Sequence, residues 1–115
     1  GHSFGGAVVF PVALKLREML VGTSTSVAGV IGLSPQASGA KEAAAGLEGV
    51  PKLFIHSIDD QALSVRSALV LHKSAAEPRE LELLSTGGHN LEEHKSALRQ
   101  RLRDWIVAEA KLADA

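Results

Sequence analysis

The chain has 115 residues, 45% of them hydrophobic and 22% charged, and its 12 basic and 13 acidic residues leave a formal charge of -1. That is enough chain to bury the core of one globular domain, and the near-zero charge supplies no field that would hold nucleic acid or an anionic membrane. No apolar run approaches the roughly 20 residues of a spanning helix, no charged start leads into an apolar leader and cleavage site, and the lack of cysteine excludes disulfides, a thiol nucleophile and thiolate metal sites without fixing a compartment.

From Ala7 to Leu20, Val8, Val9, Val12, Leu16 and Leu20 recur at steps of three and four with Lys15, Arg17 and Glu18 among them, the pattern of an amphipathic helix. Pro11 donates no amide, so the helix is expected to start near it or to bend there, and Gly22 is a plausible stop. Val27 to Leu33 is a short uncharged run with β-branched residues, read as a central parallel strand buried on both faces. Ala37 to Val50 is weakly patterned and allows a short helix and a loop, which Pro51 ends. Lys52 to Ile58 is predicted as the second strand and Gln61 to Ala76 as a helix, with Glu77-Pro78 as the break after it. In Glu80 to Leu84, glutamates alternate with leucines, which suits a strand with one wet face near a sheet edge. Asn90 is a candidate cap for a last helix running to about Leu112, with Leu98, Leu102, Trp105 and Ile106 on one stripe. Helices alternating with strands in this way indicate an α/β fold, three parallel strands joined by right-handed crossovers. No internal repeat or linker marks a second domain.

Chemistry concentrates at the beginning. Gly1-His2-Ser3-Phe4-Gly5 is a Gly-x-Ser-x-Gly sequence, which in a sharp strand-to-helix turn lifts a serine hydroxyl above a sheet. Glycine at Gly1 and Gly5 would remove collisions in that turn, and the Phe4 amide, opening the helix, would point at an oxygen that becomes negative in a transition state. Alone the pentapeptide is weak. Its context is stronger: an Asp59-Asp60 pair ends the second strand and Gly87-Gly88-His89 follows the third, and the carboxyl ends of parallel strands are where open α/β sheets place their ligands.

With these residues in view, the chain resembles the α/β-hydrolase family, over essentially its whole length, as the C-terminal half of such a domain. The family's acid lies in a pattern like His-Gly-x-x-Asp, and His56-Ser57-Ile58-Asp59-Asp60 matches it with Ser57 in the glycine's place. The resemblance therefore implies Asp60 as the acid, with Asp59 as its competitor, and His89, in Gly88-His89, as the base. Ser, Asp, His is also the family's order. In such a triad the histidine takes the serine's proton and returns it to the leaving group, while the carboxylate fixes the tautomer and stabilises the imidazolium.

The resemblance implies a serine esterase or thioesterase acting on a small molecule, with no cofactor and no metal. The five histidines show no ligand spacing. His2 reads as a packed or hydrogen-bonded neighbour of the turn, His56 as a support for the acid-bearing loop, and His72 and His94 as surface residues. The short Ser34 to Val50 link leaves no room for a helical cap domain, which is similar to the dienelactone-hydrolase-like and small carboxylesterase branches. A serine nucleophile speaks against a haloalkane dehalogenase. Residues 1–115 are then expected to form a single partial domain. The N-terminal strands and the loop with the second oxyanion donor would lie outside it, and the isolated piece would be nearly inactive. A non-catalytic interaction domain that keeps the fold and the motif is the alternative from a different class.

Overall fold

Parallel pairing requires long crossovers between strands, and this chain supplies each as a helix packed on the sheet. The computed structural model describes residues 1–109. They form α1 (Phe4–Met19), β1 (Val30–Leu33), α2 (Lys41–Gly46), β2 (Lys52–Ser57), α3 (Arg66–Ser74), β3 (Arg79–Leu84), a 3-10 turn (Glu92–His94) and α4 (Lys95–Glu109). The three strands pair in parallel in the order β1-β2-β3, with Leu33 beside Ile55 and Ser57 beside Leu84. Their carboxyl ends therefore finish on one rim.

β2 is the central strand, and all of Lys52–Ser57 is buried. Successive side chains on a strand face opposite ways, so Phe54 enters one core while Leu53 and Ile55 enter the other. On the Phe54 side lie α1, α2 and α3, with the Phe10 ring stacked on Phe54 at 5.3 Å. On the other side α4 contributes Leu98, Leu102, Trp105 and Ile106, the stripe expected from its spacing. Lys52 is buried beneath the first core, its Nζ donating to the carbonyls of Leu47 (2.6 Å), Val50 (2.6 Å) and Ala76 (2.8 Å). Its charge thus replaces water for carbonyls near the ends of two helices. On β3, Glu80 and Glu82 receive Arg101 of α4 at 2.9 and 2.6 Å, so the face read as wet is bridged to a helix.

Several expectations change. The strand read over Val27 to Leu33 forms only from Val30, and it is an outer strand of the three rather than the central one. Among the described residues, its far side carries Gly1–Ser3. There the Gly1 nitrogen donates to Ile31 O (2.8 Å), Leu33 N to Gly1 O (2.8 Å) and Ser3 N to Leu33 O (3.0 Å). α1 begins at Phe4, ahead of the predicted start, and continues through Pro11.

The core face of α1 is not the valine stripe. Ala7, Phe10 and Ala13 are buried, whereas Val8, Val12 and Leu16 are 39%, 48% and 42% exposed. The helix is apolar on two faces, and the smaller side chains allow the closer approach to the sheet. Val9, Val12 and Leu16 line instead a groove of about 390 Å³ bounded by Val27–Ile31 and by Trp105 and Ile106.

α3 begins at Arg66, because Gln61–Val65 is taken up by a turn around Asp60. Asn90 caps nothing: Leu91, in the left-handed region at φ 56°, precedes the 3-10 turn that leads into α4. Leu112, the expected end of that helix, lies outside the described residues. Among the described residues no helix is long and apolar enough to cross a membrane.

Candidate active site

Ser3 sits where the chain leaves the edge of β1 and enters α1. Its backbone is at φ 58° and ψ -121°, a region that costs a side-chain-bearing residue on the order of 1–3 kcal/mol and persists only where neighbours enforce it. The enforcement is visible. Ser3 N is bonded to Leu33 O, and Ser3 O accepts the amides of Gly6 (2.9 Å) and Gln36 (3.1 Å). Phe4 follows as the first helical residue, whose amide has no partner within the helix.

The glycines of this turn divide unequally. A Cβ on Gly1 would lie 2.2 Å from the Gly5 carbonyl oxygen, so glycine is required there. A Cβ on Gly5 would meet nothing within 4 Å, which corrects the expectation that Gly5 relieves a collision. Gly6 carries that constraint instead, since its Cβ would fall 2.7 Å from Pro35 Cβ. The sequence pattern stops at Gly5 and could not point to Pro35.

Asp60 turns inward at the end of β2. One oxygen, Oδ1, accepts the amides of Ala62 (2.9 Å) and Leu63 (2.8 Å), closing the turn that delays α3. The other, Oδ2, lies 2.8 Å from His89 Nδ1 and 3.1 Å from His56 Nε2. His56 is fully buried and also donates from Nε2 to the Leu63 carbonyl (3.0 Å), which matches its reading as support for this loop.

His89, in the loop after β3, reaches Ser3 Oγ through Nε2 at 2.9 Å. A carboxylate only accepts, so His89 Nδ1 carries the proton toward Asp60 and leaves the Nε2 lone pair for the Ser3 hydroxyl. Ser3, His89 and Asp60 thus form one hydrogen-bonded chain assembled from the carboxyl ends of three strand positions. Asp59, the competing acid, does not face His89. Its Oδ1 instead accepts the Ser57 hydroxyl and the Gly88 amide (2.9 Å).

Two contacts to the His89 main chain were not visible in the sequence. Ser34 Oγ and His2 Nε2 each donate to the His89 carbonyl at 2.9 Å. Ser34 is fully buried and strained at φ 44°, and only its place beside Pro35 at a strand end marks it. His2 packs its ring 4.9 Å from that of His89. His72 lies edge-on to Phe54 at 6.1 Å, and His94 Nε2 lies 3.1 Å from Thr86 Oγ1, so both are partnered rather than free on the surface. Among the described residues no cluster of side chains could hold a metal ion.

Burial pushes the Asp60 carboxyl upward, but hydrogen bonds from His89 and from the Leu63 and Ala62 amides outweigh it and hold the group below the usual carboxylate range. Asp59 is also lowered, first by the Ser57 hydroxyl and then by the Gly88 amide.

No protein-family model matches the sequence, and no curated protein matches it. Among solved structures, the esterase domain of a Rhodothermus marinus protein has a similar fold, with a TM-score of 0.80 at 20% identity. The chain has an α/β fold like that domain's. The likeness covers 96% of this chain and 59% of that one, so the chain spans less than two thirds of the esterase domain's length.

Two predictions come from this geometry. Gly6→Ala is expected to lower stability by about 1–3 kcal/mol through its clash with Pro35, whereas Gly5→Ala, in an open helical position, should raise it by about 0.5–1 kcal/mol; urea unfolding of both variants would expose the error if they behaved alike. Because the folded pKa of Asp60 is lowered, its contribution to stability is complete above about pH 4, the unfolded value, and is lost as pH falls through the folded one. Asp60→Asn should therefore flatten the acid limb of a plot of unfolding midpoint against pH, and an unchanged limb would refute the assignment.

Proposed function

We propose that this chain is the C-terminal part of a serine hydrolase domain that cleaves carboxylic esters or thioesters through an acyl-Ser3 intermediate. The observation that carries the reading is the continuous relay from Ser3 Oγ to His89 Nε2 (2.9 Å) and from His89 Nδ1 to Asp60 Oδ2 (2.8 Å). Support for the partial domain comes from the share of the esterase domain that the likeness spans.

In this mechanism His89 Nε2 takes the Ser3 proton as Oγ bonds to the substrate carbonyl carbon. The carbonyl oxygen becomes an oxyanion facing the Phe4 amide, and Asp60 stabilises the imidazolium. Collapse breaks the bond to the alcohol or thiol, which leaves with the proton from His89. Water then gives a proton to His89, attacks the acyl-serine and releases the acid, and the returning proton restores the Ser3 hydroxyl. The second oxyanion donor comes from sequence outside this chain. Removing one such donor costs on the order of a hundredfold or more, so the chain alone is nearly inactive. The short β1 to β2 link with its six-residue α2 supports a capless enzyme of the dienelactone-hydrolase-like or small carboxylesterase kind.

A fluorophosphonate probe tests this reading on the complete polypeptide. Labelling is expected, abolished by Ser3→Ala and slowed at least a hundredfold by Asp60→Asn; folded protein that takes no label, or a Ser3→Ala variant that still does, would favour a non-catalytic interaction domain. Matched ester, thioester and amide substrates then rank the reaction types.

A further inference from the structure

The loop that carries His89 is held from within by the Thr86 to His94 contact, but around His89 its backbone is permissive. Gly87 stands at φ +123°, Gly88 at φ +61° and Leu91 at φ 56°, and glycine pairs leave the backbone many alternatives that local side chains do not exclude. Contacts from outside the loop narrow that choice around His89. The Asp60 contact fixes the imidazole ring, and the bonds from Ser34 and His2 fix the His89 carbonyl. Ahead of His89, the amide of Gly88 is held by Asp59 Oδ1 at 2.9 Å.

Asp59 is itself prepared for this contact. The same Oδ1 accepts the hydroxyl of Ser57, and the Asp59 amide closes back on Ser57 Oγ at 3.4 Å. Ser57 is fully buried at the end of the central strand, so the carboxylate is anchored to the buried end of the sheet's middle strand. Ser57 also stands at the position where the resembled pattern has glycine, which could supply no hydroxyl. The departure from the pattern and the use of Asp59 thus belong to one arrangement.

Resting on the hydrolase reading above, we infer that Asp59 is a positioning residue for that reaction: oriented by Ser57, it pins the Gly88 amide and so sets the height of His89 over Ser3. Adjacent acids divide the work. Asp60 holds the ring of the base and Asp59 holds the backbone that delivers it. Because both bonds converge on Oδ1, the function requires an acceptor oxygen at that point and not a second negative charge. Asparagine keeps such an oxygen, and alanine does not.

The test is made on the complete polypeptide, with Asp59→Ala, Asp59→Asn and Ser57→Gly compared for ester hydrolysis and for amide hydrogen exchange at Gly88. Asp59→Ala is expected to lower kcat about tenfold to a hundredfold with KM within about twofold, the scale of a small misplacement of a reacting group. It should also speed Gly88 exchange. Asp59→Asn should recover kcat to within about threefold and restore the protection, and Ser57→Gly should fall between the two. Unchanged kcat and unchanged Gly88 exchange in Asp59→Ala would overturn the inference, as would an Asp59→Asn variant as impaired as Asp59→Ala. The exchange measurement needs no turnover, and a Ser3→Ala control that retains hydrolysis would instead remove the hydrolase reading itself.

Discussion

The hydrogen bonds that lash Gly1–Ser3 to the outer edge of β1 are the contact on which the rest of the site depends. Leu33 donates to Gly1 and accepts from Ser3, so the turn is fixed at the height where β1 ends. A serine at φ 58° would otherwise relax into an ordinary extended or helical conformation. Held there, it launches α1 and leaves its hydroxyl on the rim. The register of the parallel sheet does the rest, because Leu33, Ser57 and Leu84 finish close together and the loops beyond them need only short reaches to meet.

Much of this was legible in the sequence. Strand existence was accessible because Pro51 and Pro78 punctuate short apolar runs, and the alternation with helices limits the topologies available. Ser3, Asp60 and His89, which the structure joins by hydrogen bonds, were accessible as candidates because each follows a strand position. The face of α1 was not: its valines and its alanine-phenylalanine stripe have similar periodicity, and only the distance to the sheet decides between them. β1 was misread as central for a related reason, since an apolar run looks the same whether it is covered by another strand or lies along a groove.

The division between Asp59 and Asp60 shows where pattern ends and geometry begins. Adjacent aspartates are equivalent in a motif, but Asp60 is turned inward by the two amides that bind its Oδ1. Those amides belong to the residues that were predicted as helix and fold as a turn. The misplaced helix start and the undecided acid therefore have one cause. Ser34 was out of reach altogether, because its bond to the His89 carbonyl joins residues 55 positions apart.

The strained backbone at Ser3 has an evolutionary consequence. The turn asks for glycine, and the proposed chemistry asks for a hydroxyl, so selection for folding and selection for that turnover would pull this position in opposite directions. A lineage released from the reaction would be free to replace Ser3 with glycine and gain stability as it lost activity. On the proposed hydrolase reading, a serine at so costly a point is accounted for by turnover, since the fold alone gives no reason for a side chain there.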